Sequence, residues 1–195
     1  MIWLLRHGRT AVNAQGLLQG QMDPPLDDMG MQQAAAAAAA VKGFDIARVV
    51  ASPLQRCRAT AAVVAEVLGI DVHVDERWIE MDYGDLDGTP VAEVPPATWA
   101  AWQADLHWAP PGGESIAALG ERVRPACNEL ASAGDDVLVV SHVSPIKAAV
   151  AWALGVGDEV AWRLHLAPAS FTRIVADPGG RRRSLHAFND VSHLR

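Results

Sequence analysis

Three apolar stretches of this chain end in residues suited to an anionic substrate. Residues 2–5 run into Arg6, His7, Gly8 and Arg9, and residues 137–140 run into Ser141 and His142. Residues 47–51 run into Ser52 and Pro53, with Arg56 one turn further on. Taken singly, each histidine reads as an ordinary hydrogen-bonded side chain and each arginine as a surface cation. Taken together they suit a phosphate dianion. Arginine offers a planar fork of donors matched to phosphate oxygens. A neutral imidazole is a nucleophile near pH 7, and a second, protonated imidazole can hold an equatorial oxygen. Phosphoryl transfer is mostly positioning and neutralisation of charge on three oxygens. The expected roles are in-line attack by His7 and a clamp made of Arg6, Arg56 and a protonated His142. Gly8 is expected to allow close backbone approach to the substrate. This set calls for no metal and no other cofactor.

These side chains meet only if the three apolar runs are neighbouring strands, since ligands of open α/β sheets bind outside the carboxyl ends of the strands. The patterning agrees. Asp27 or Asp28 can cap a helix through the seven alanines at 34–40, ended by Gly43. Pro53 opens a helix reaching Leu68, ended by Gly69. Residues 71–74 form a short strand, 116–133 and 145–154 are helical, and 171–176 and 183–188 are strands. Residues 15–26 read as a loop. Residues 84–114, rich in Gly, Pro and Trp, read as an excursion over the surface. This alternation predicts an α/β fold, a three-layer α/β/α sandwich on a mostly parallel central sheet, with 1–195 as one domain.

Bulk properties narrow the function. The 195 residues carry a formal net charge of −7, which argues against nucleic acid or an anionic membrane as partner but not against a small anion in a local positive pocket. Cys57 and Cys127 match no metal spacing, and an arginine interrupts the N-terminal apolar run at once, so a cytoplasmic protein with reduced thiols is expected. No stretch is long and charge-free enough to span a bilayer.

The motifs RHGRT with Asn13, LLQGQMDPPLDDMG, SPLQRCRATA, PPGGES and VVSHVSPIKA occur in this order and together resemble the histidine phosphatase superfamily, the phosphoglycerate mutases and their phosphatase relatives. The resemblance runs from Leu4 to about Leu166. It implies a phosphoryl-accepting role for His7, phosphate-pocket roles for Arg6, Arg56 and His142, and a donor role for Asn13. It places Gln19 and Gly20 in the loop lining that pocket and a backbone N–H of Val143 beside it. Glu80 matches the family's acid, which protonates the leaving alkoxide and then activates water; Asp82 is its nearest rival. The resemblance implies a phosphomonoesterase for small phosphorylated metabolites, with mutase-type transfer as the alternative. A non-catalytic phospho-ligand or protein-binding member of the fold is a third reading, disfavoured by the presence of a nucleophile. The mutases are longer, and SHVSPIKAAV and WRLHLAPAS resemble most the α-ribazole-phosphatase and acid-phosphatase branch. Some bacterial members of that branch also carry a ribonuclease H-like domain, and none is expected in residues 1–195. α-Ribazole 5′-phosphate, sugar phosphates and phosphoglycerate derivatives stay open as substrates, as does homodimerisation.

Three positions depart from the family pattern. Arg9 stands where many relatives have Glu, adding positive charge near the pocket or facing solvent. Val143 replaces a common Gly, which bears on local backbone geometry because Val is comfortable only at negative φ. Lys147 replaces Arg. DLDGT at 85–89 matches the signature of metal-dependent haloacid-dehalogenase-type phosphatases, but that motif must end a buried strand, and the polar residues before it and Pro90 after it do not fit. Trp99, Trp102 and Trp108 are expected to pack a lid onto the body rather than to stack on a ligand.

Overall fold

The computed structural model describes residues 1–179 and 181–195. Its centre is a six-stranded sheet in the order β3-β2-β4-β1-β5-β6. The strands are β1 (Ile2–Arg6), β2 (Arg48–Ala51), β3 (Val72–Val74), β4 (Val137–Ser141), β5 (Phe171–Ala176) and β6 (Arg183–Asp190). The first four in spatial order are parallel, and β5 and β6 add antiparallel pairs at one edge. Strand residues alternate between two cores, as a sheet covered on both faces requires. Ile2, Leu4, Val137 and Val139 pack against α5 (Ile116–Ala133) and α6 (Val143–Leu154). Leu5, Leu138 and Val140 pack against α2 (Asp28–Ala40) and α3 (Gln55–Leu68). The result is the three-layer α/β/α arrangement with a mostly parallel sheet.

Local chemistry sets the helix ends. The Asp27 carboxylate caps α2 by accepting from the Gly30 N–H at 2.7 Å. Within the alanine run, Ala34, Ala37 and Ala38 are buried, a spacing that turns one narrow face inward and lets α2 lie close to α3. The run is packing, as its composition suggests. Pro53 lies outside α3: the first carbonyl accepting a helical bond is that of Leu54, so the helix starts at Gln55. α6 starts at Val143, two residues before Pro145, whose missing N–H costs nothing among the free donors of a first turn. A short helix, α1 (Ala11–Ala14), interrupts the region before the 15–26 loop.

Residues 84–114 are no surface excursion. They contain α4 (Pro96–Ala104), whose Trp102 is 2 % exposed and belongs to the core under α5 and α6. Trp99 stacks on Trp102, and Trp108 and Trp162 pack around it, so aromatic burial draws the segment onto the body. No helix among the described residues is long and apolar enough to cross a membrane.

The register places the site. Arg6 at the end of β1 lies opposite Ser141 at the end of β4, and Ala51 of β2 lies opposite Val140 on the other side of β4. His7, Ser52 and His142 therefore leave adjacent parallel strands at one edge. Gly8 serves a different purpose from the one expected. A Cβ there would sit 2.4 Å from the Gly30 carbonyl oxygen, and one at Gly30 would sit 2.0 Å from the Arg9 carbonyl oxygen. The two glycines let the chain leaving β1 cross the first turn of α2. Gly8→Ala is expected to cost about 1–3 kcal/mol of stability, the usual range for overpacking a rigid contact, read as a lower urea midpoint. An unchanged midpoint would show that this crossing has slack.

Candidate active site

His7 follows β1 directly, and its backbone N–H donates to the Ser141 carbonyl at 3.0 Å. The ring is 2 % exposed, and Nδ1 lies 2.7 Å from the Gly8 carbonyl. A carbonyl only accepts, so Nδ1 carries the proton and Nε2 keeps a free lone pair. Burial lowers the pKa of His7 well below the ordinary value, and the Arg56 and Arg6 charges push the same way against the Gly8 hydrogen bond. The ring is thus neutral near pH 7.

His142 is wholly buried, its ring centroid 5.1 Å from that of His7 at 60° between planes. Arg56 Nε donates to its Nδ1 at 3.3 Å, which leaves the proton on Nε2 to be donated to Ser52 Oγ at 2.7 Å. Its pKa is also well below the usual value, from burial first and then from Arg56, His7 and Arg6. Burial and the flanking guanidiniums thus favour the neutral imidazole at His142. An arriving dianion would reverse that balance.

Both arginines are anchored. Arg56, 1 % exposed, donates through Nη1 to the Met22 carbonyl at 2.6 Å and through Nη2 to the Gly20 carbonyl at 2.8 Å. With the Gln19 amide turned so that its nitrogen donates to Thr10 Oγ1, its oxygen accepts from Arg56 Nη1 at 2.9 Å. Arg6 Nη1 donates to the Leu166 carbonyl at 2.6 Å, while its buried Nε has no protein partner. Burial lowers its pKa to about 10, with Glu80 and Tyr83 opposing and Arg56 assisting; it remains a cation at neutral pH.

A cavity of about 200 Å³ is lined by Arg6, His7, Asn13, Gln19, Gly20, Arg56, Glu80 and Val143. His142 stands behind this wall against His7. Every residue assigned to the site from sequence is therefore gathered at one place. Asn13 is held by a capping box, its Oδ1 accepting from the Thr10 N–H at 3.2 Å. Val143 is the first residue of α6, and no positive φ is needed there, so the change from Gly leaves the backbone in place. Glu80, 6 % exposed, accepts from the Met81 and Ser144 N–H groups through Oε1 at 2.8 and 3.2 Å. Asp82 does not line the cavity; its Oδ1 accepts from the Gly84 N–H at 2.8 Å.

Arg9 does not line the pocket; of the two placements expected it takes the solvent-facing one, its partly exposed side chain pairing through Nε with the α2 cap Asp27 at 2.8 Å. DLDGT begins on a 3-10 turn, Gly84–Leu86, away from any strand end. Within it, burial and nearby Asp82 raise the Asp87 pKa to about 6. Sequence reasoning missed Tyr83, which lines the cavity and meets Ser144 Oγ at 3.2 Å, and Thr60, whose Oγ1 accepts from the Gly8 N–H at 3.1 Å. Tyr83 is a lone aromatic in a loop and gives no signal; Thr60 sits one helical turn after Arg56 and is readable from that spacing.

Residues 2–190 match the sequence profile of the histidine phosphatase superfamily (branch 1). The chain belongs to that superfamily. It is 42 % identical over 175 residues to a bifunctional protein of Mycobacterium tuberculosis, covering 87 % of this chain and 48 % of that protein. It thus spans about half the length of the curated mycobacterial relatives it matches first. It is 37 % identical over 164 residues to glucosyl-3-phosphoglycerate phosphatase of Mycolicibacterium vanbaalenii, covering 78 % of this chain and 73 % of that one. Among solved structures, phosphoserine phosphatase of Entamoeba histolytica superposes with a TM-score of 0.90 at 26 % identity, covering 100 % and 98 % of the two chains. α-Ribazole phosphatase of Shigella flexneri superposes with a TM-score of 0.84 at 26 % identity, covering 97 % and 96 %.

The two buried histidines make a testable pH signature for this superfamily member. In the ligand-free protein, nitrogen NMR should show His7 still neutral, as the Nδ1–H tautomer, at pH values where a free histidine is protonated. The unfolded chain takes up protons at both histidines below about pH 6.5, whereas the folded chain does not, so stability should fall as pH drops through that value. A His7 titration midpoint near 6.5 would sink the argument.

Proposed function

We propose that this chain is a phosphomonoesterase acting on small phosphorylated metabolites through a phosphohistidine on His7. The observation that carries the reading is the Gly8 carbonyl bond to His7 Nδ1, which fixes the free lone pair on Nε2 in a cradle held by Arg6 and Arg56. In the first step Nε2 bonds to phosphorus as the bond from phosphorus to the alcohol oxygen breaks. Glu80 passes a proton to that oxygen. Arg6 and Arg56 offset charge on the phosphoryl oxygens, and the N-terminus of α6 at Val143 adds its dipole. His142 takes up a proton as the dianion enters and holds a further oxygen. In the second step Glu80 accepts a proton from water, whose oxygen displaces His7 and releases inorganic phosphate.

The phosphatase and the mutase readings share the first step and differ in the acceptor, water or a substrate hydroxyl. The named phosphatases among the relatives and structural neighbours support water. A relative named as a probable phosphoglycerate mutase of Yersinia enterocolitica keeps the transfer reading in view. Measuring free phosphate against isomerised ester from 3-phosphoglycerate separates them.

His7→Ala should lower turnover of p-nitrophenyl phosphate by at least a thousandfold, in line with loss of a covalent nucleophile, and the parent should yield an acid-labile, base-stable phosphoenzyme. Activity of a few per cent in that variant removes His7 from the role. Turnover should persist in EDTA and be inhibited by vanadate.

Glu80 and Arg56 are separable by leaving group. In single-turnover experiments, Glu80→Gln should slow alkyl phosphates at least tenfold more than p-nitrophenyl phosphate, whose leaving group needs little protonation. Arg56→Ala should slow both alike. A selective loss in Asp82→Asn, with none in Glu80→Gln, would move the acid role to Asp82.

A further inference from the structure

A second cavity, about 160 Å³, adjoins the phosphate cradle and shares Leu18, Tyr83 and Val143 with it. The alcohol part of a phosphomonoester seated in the cradle can reach this space past those three residues. We propose that the cavity is a seat for one flat aromatic ring on the leaving alcohol, so that the preferred substrates are phosphomonoesters of ring-bearing alcohols rather than sugar or glycerate phosphates. The proposal rests on the phosphomonoesterase reading and specifies its substrate class.

Size comes first. An apolar cavity of about 150 Å³ admits a benzene ring, and this one is comparable. Its walls are then the right chemistry. Trp99 and Trp102 are stacked at 5.6 Å and 13°, and Trp162 meets them edge-on at 6.2 and 5.7 Å. Tyr83 completes the aromatic wall, 5.6 Å from Trp102 at 80°. These rings are already ordered by one another, so an entering ring gains edge and face contacts without ordering the pocket. Trp99 and Trp102 thus serve both packing and lining, whereas Trp108 only packs.

Polar groups on these walls are few. Asp158 is engaged by Arg124 at 2.7 Å. Lys147 is the one cation lining the cavity and has no hydrogen-bond or ion-pair partner among the described residues. The indole N–H groups of Trp102 and Trp162 are likewise without acceptors. Lys147 can donate to a ring bearing one acceptor atom, while Asp158 Oδ1 and the linked hydroxyls of Tyr83 and Ser144 are the acceptors on these walls. A sugar would bury several hydroxyl donors against mostly aromatic walls with few acceptors, at a cost for each one left unpaired.

The experiment compares kcat/KM for 2-phenylethyl phosphate with that for glycerol 3-phosphate, glucose 6-phosphate and 3-phosphoglycerate, all esters of aliphatic alcohols. The ring ester should lead by about 30-fold or more, the discrimination expected from burying one ring. Ala161→Phe, which fills the cavity from its wall, should erase that lead and leave glycerol 3-phosphate turnover within about twofold. Trp99→Ala, which removes one face of the wall, should reduce the lead severalfold and covers the case in which the first variant does not fold. Equal or better turnover of the sugar or glycerate esters overturns the proposal while leaving the phosphatase reading intact. Binding of 2-phenylethanol, followed by tryptophan fluorescence, reports on the cavity without chemistry. Binding that Ala161→Phe abolishes, with no ester hydrolysed, would uphold the ring seat and remove the phosphatase reading. Absence of both would remove each.

Discussion

The site depends on four basic groups sharing one end of a parallel strand pair. Arg6 and Arg56 are cations, and both are largely withdrawn from water. The effective cost of burying such an ion is several kcal/mol unless other groups repay it. Here the carbonyls of Gly20, Met22 and Leu166 accept from the guanidiniums, and the Glu80 carboxylate lies within electrostatic reach of both. The arginines tie the loops to the sheet, and the loops keep the arginines charged. A cradle built this way holds unbalanced positive charge, which a phosphate dianion relieves.

The same charge dictates the state of the histidines. Each imidazole lies beside guanidiniums in a dry setting, so protonation is disfavoured at both. For His7 this is the condition a nucleophile needs. For His142 it makes protonation conditional on the ligand, because only an incoming anion offsets the repulsion from Arg56. Ser52 keeps the ring oriented whichever state it holds, being able to accept from Nε2 in both.

The cradle around Arg6 and Arg56 and the adjoining cavity are built of different materials. The cradle is made of strand ends, a helix N-terminus and the 19–22 loop, and its contents are polar and fixed. The adjoining cavity is made of α4, α6 and the segment around Trp162, and its contents are aromatic.

The amino-acid order by itself determined the alternation of strands and helices, because apolar runs and glycine stops are local signals. It also marked the side chains proposed for the chemistry, because histidines and arginines recur at the ends of those runs in RHGRT, SPLQRCRATA and VVSHVSPIKA. Only the tertiary structure decided the strand order that makes β1 and β4 neighbours, and with it the contact between His7 and His142. It alone decided that protonation of His142 is disfavoured, since that follows from burial and from Arg56, not from the residue type. It alone turned Arg9 toward Asp27, gave Gly8 to the crossing with Gly30, and drew residues 84–114 onto the core through Trp102. Each of these outcomes is set by groups distant in the chain, and a local pattern carries no record of which distant group arrives.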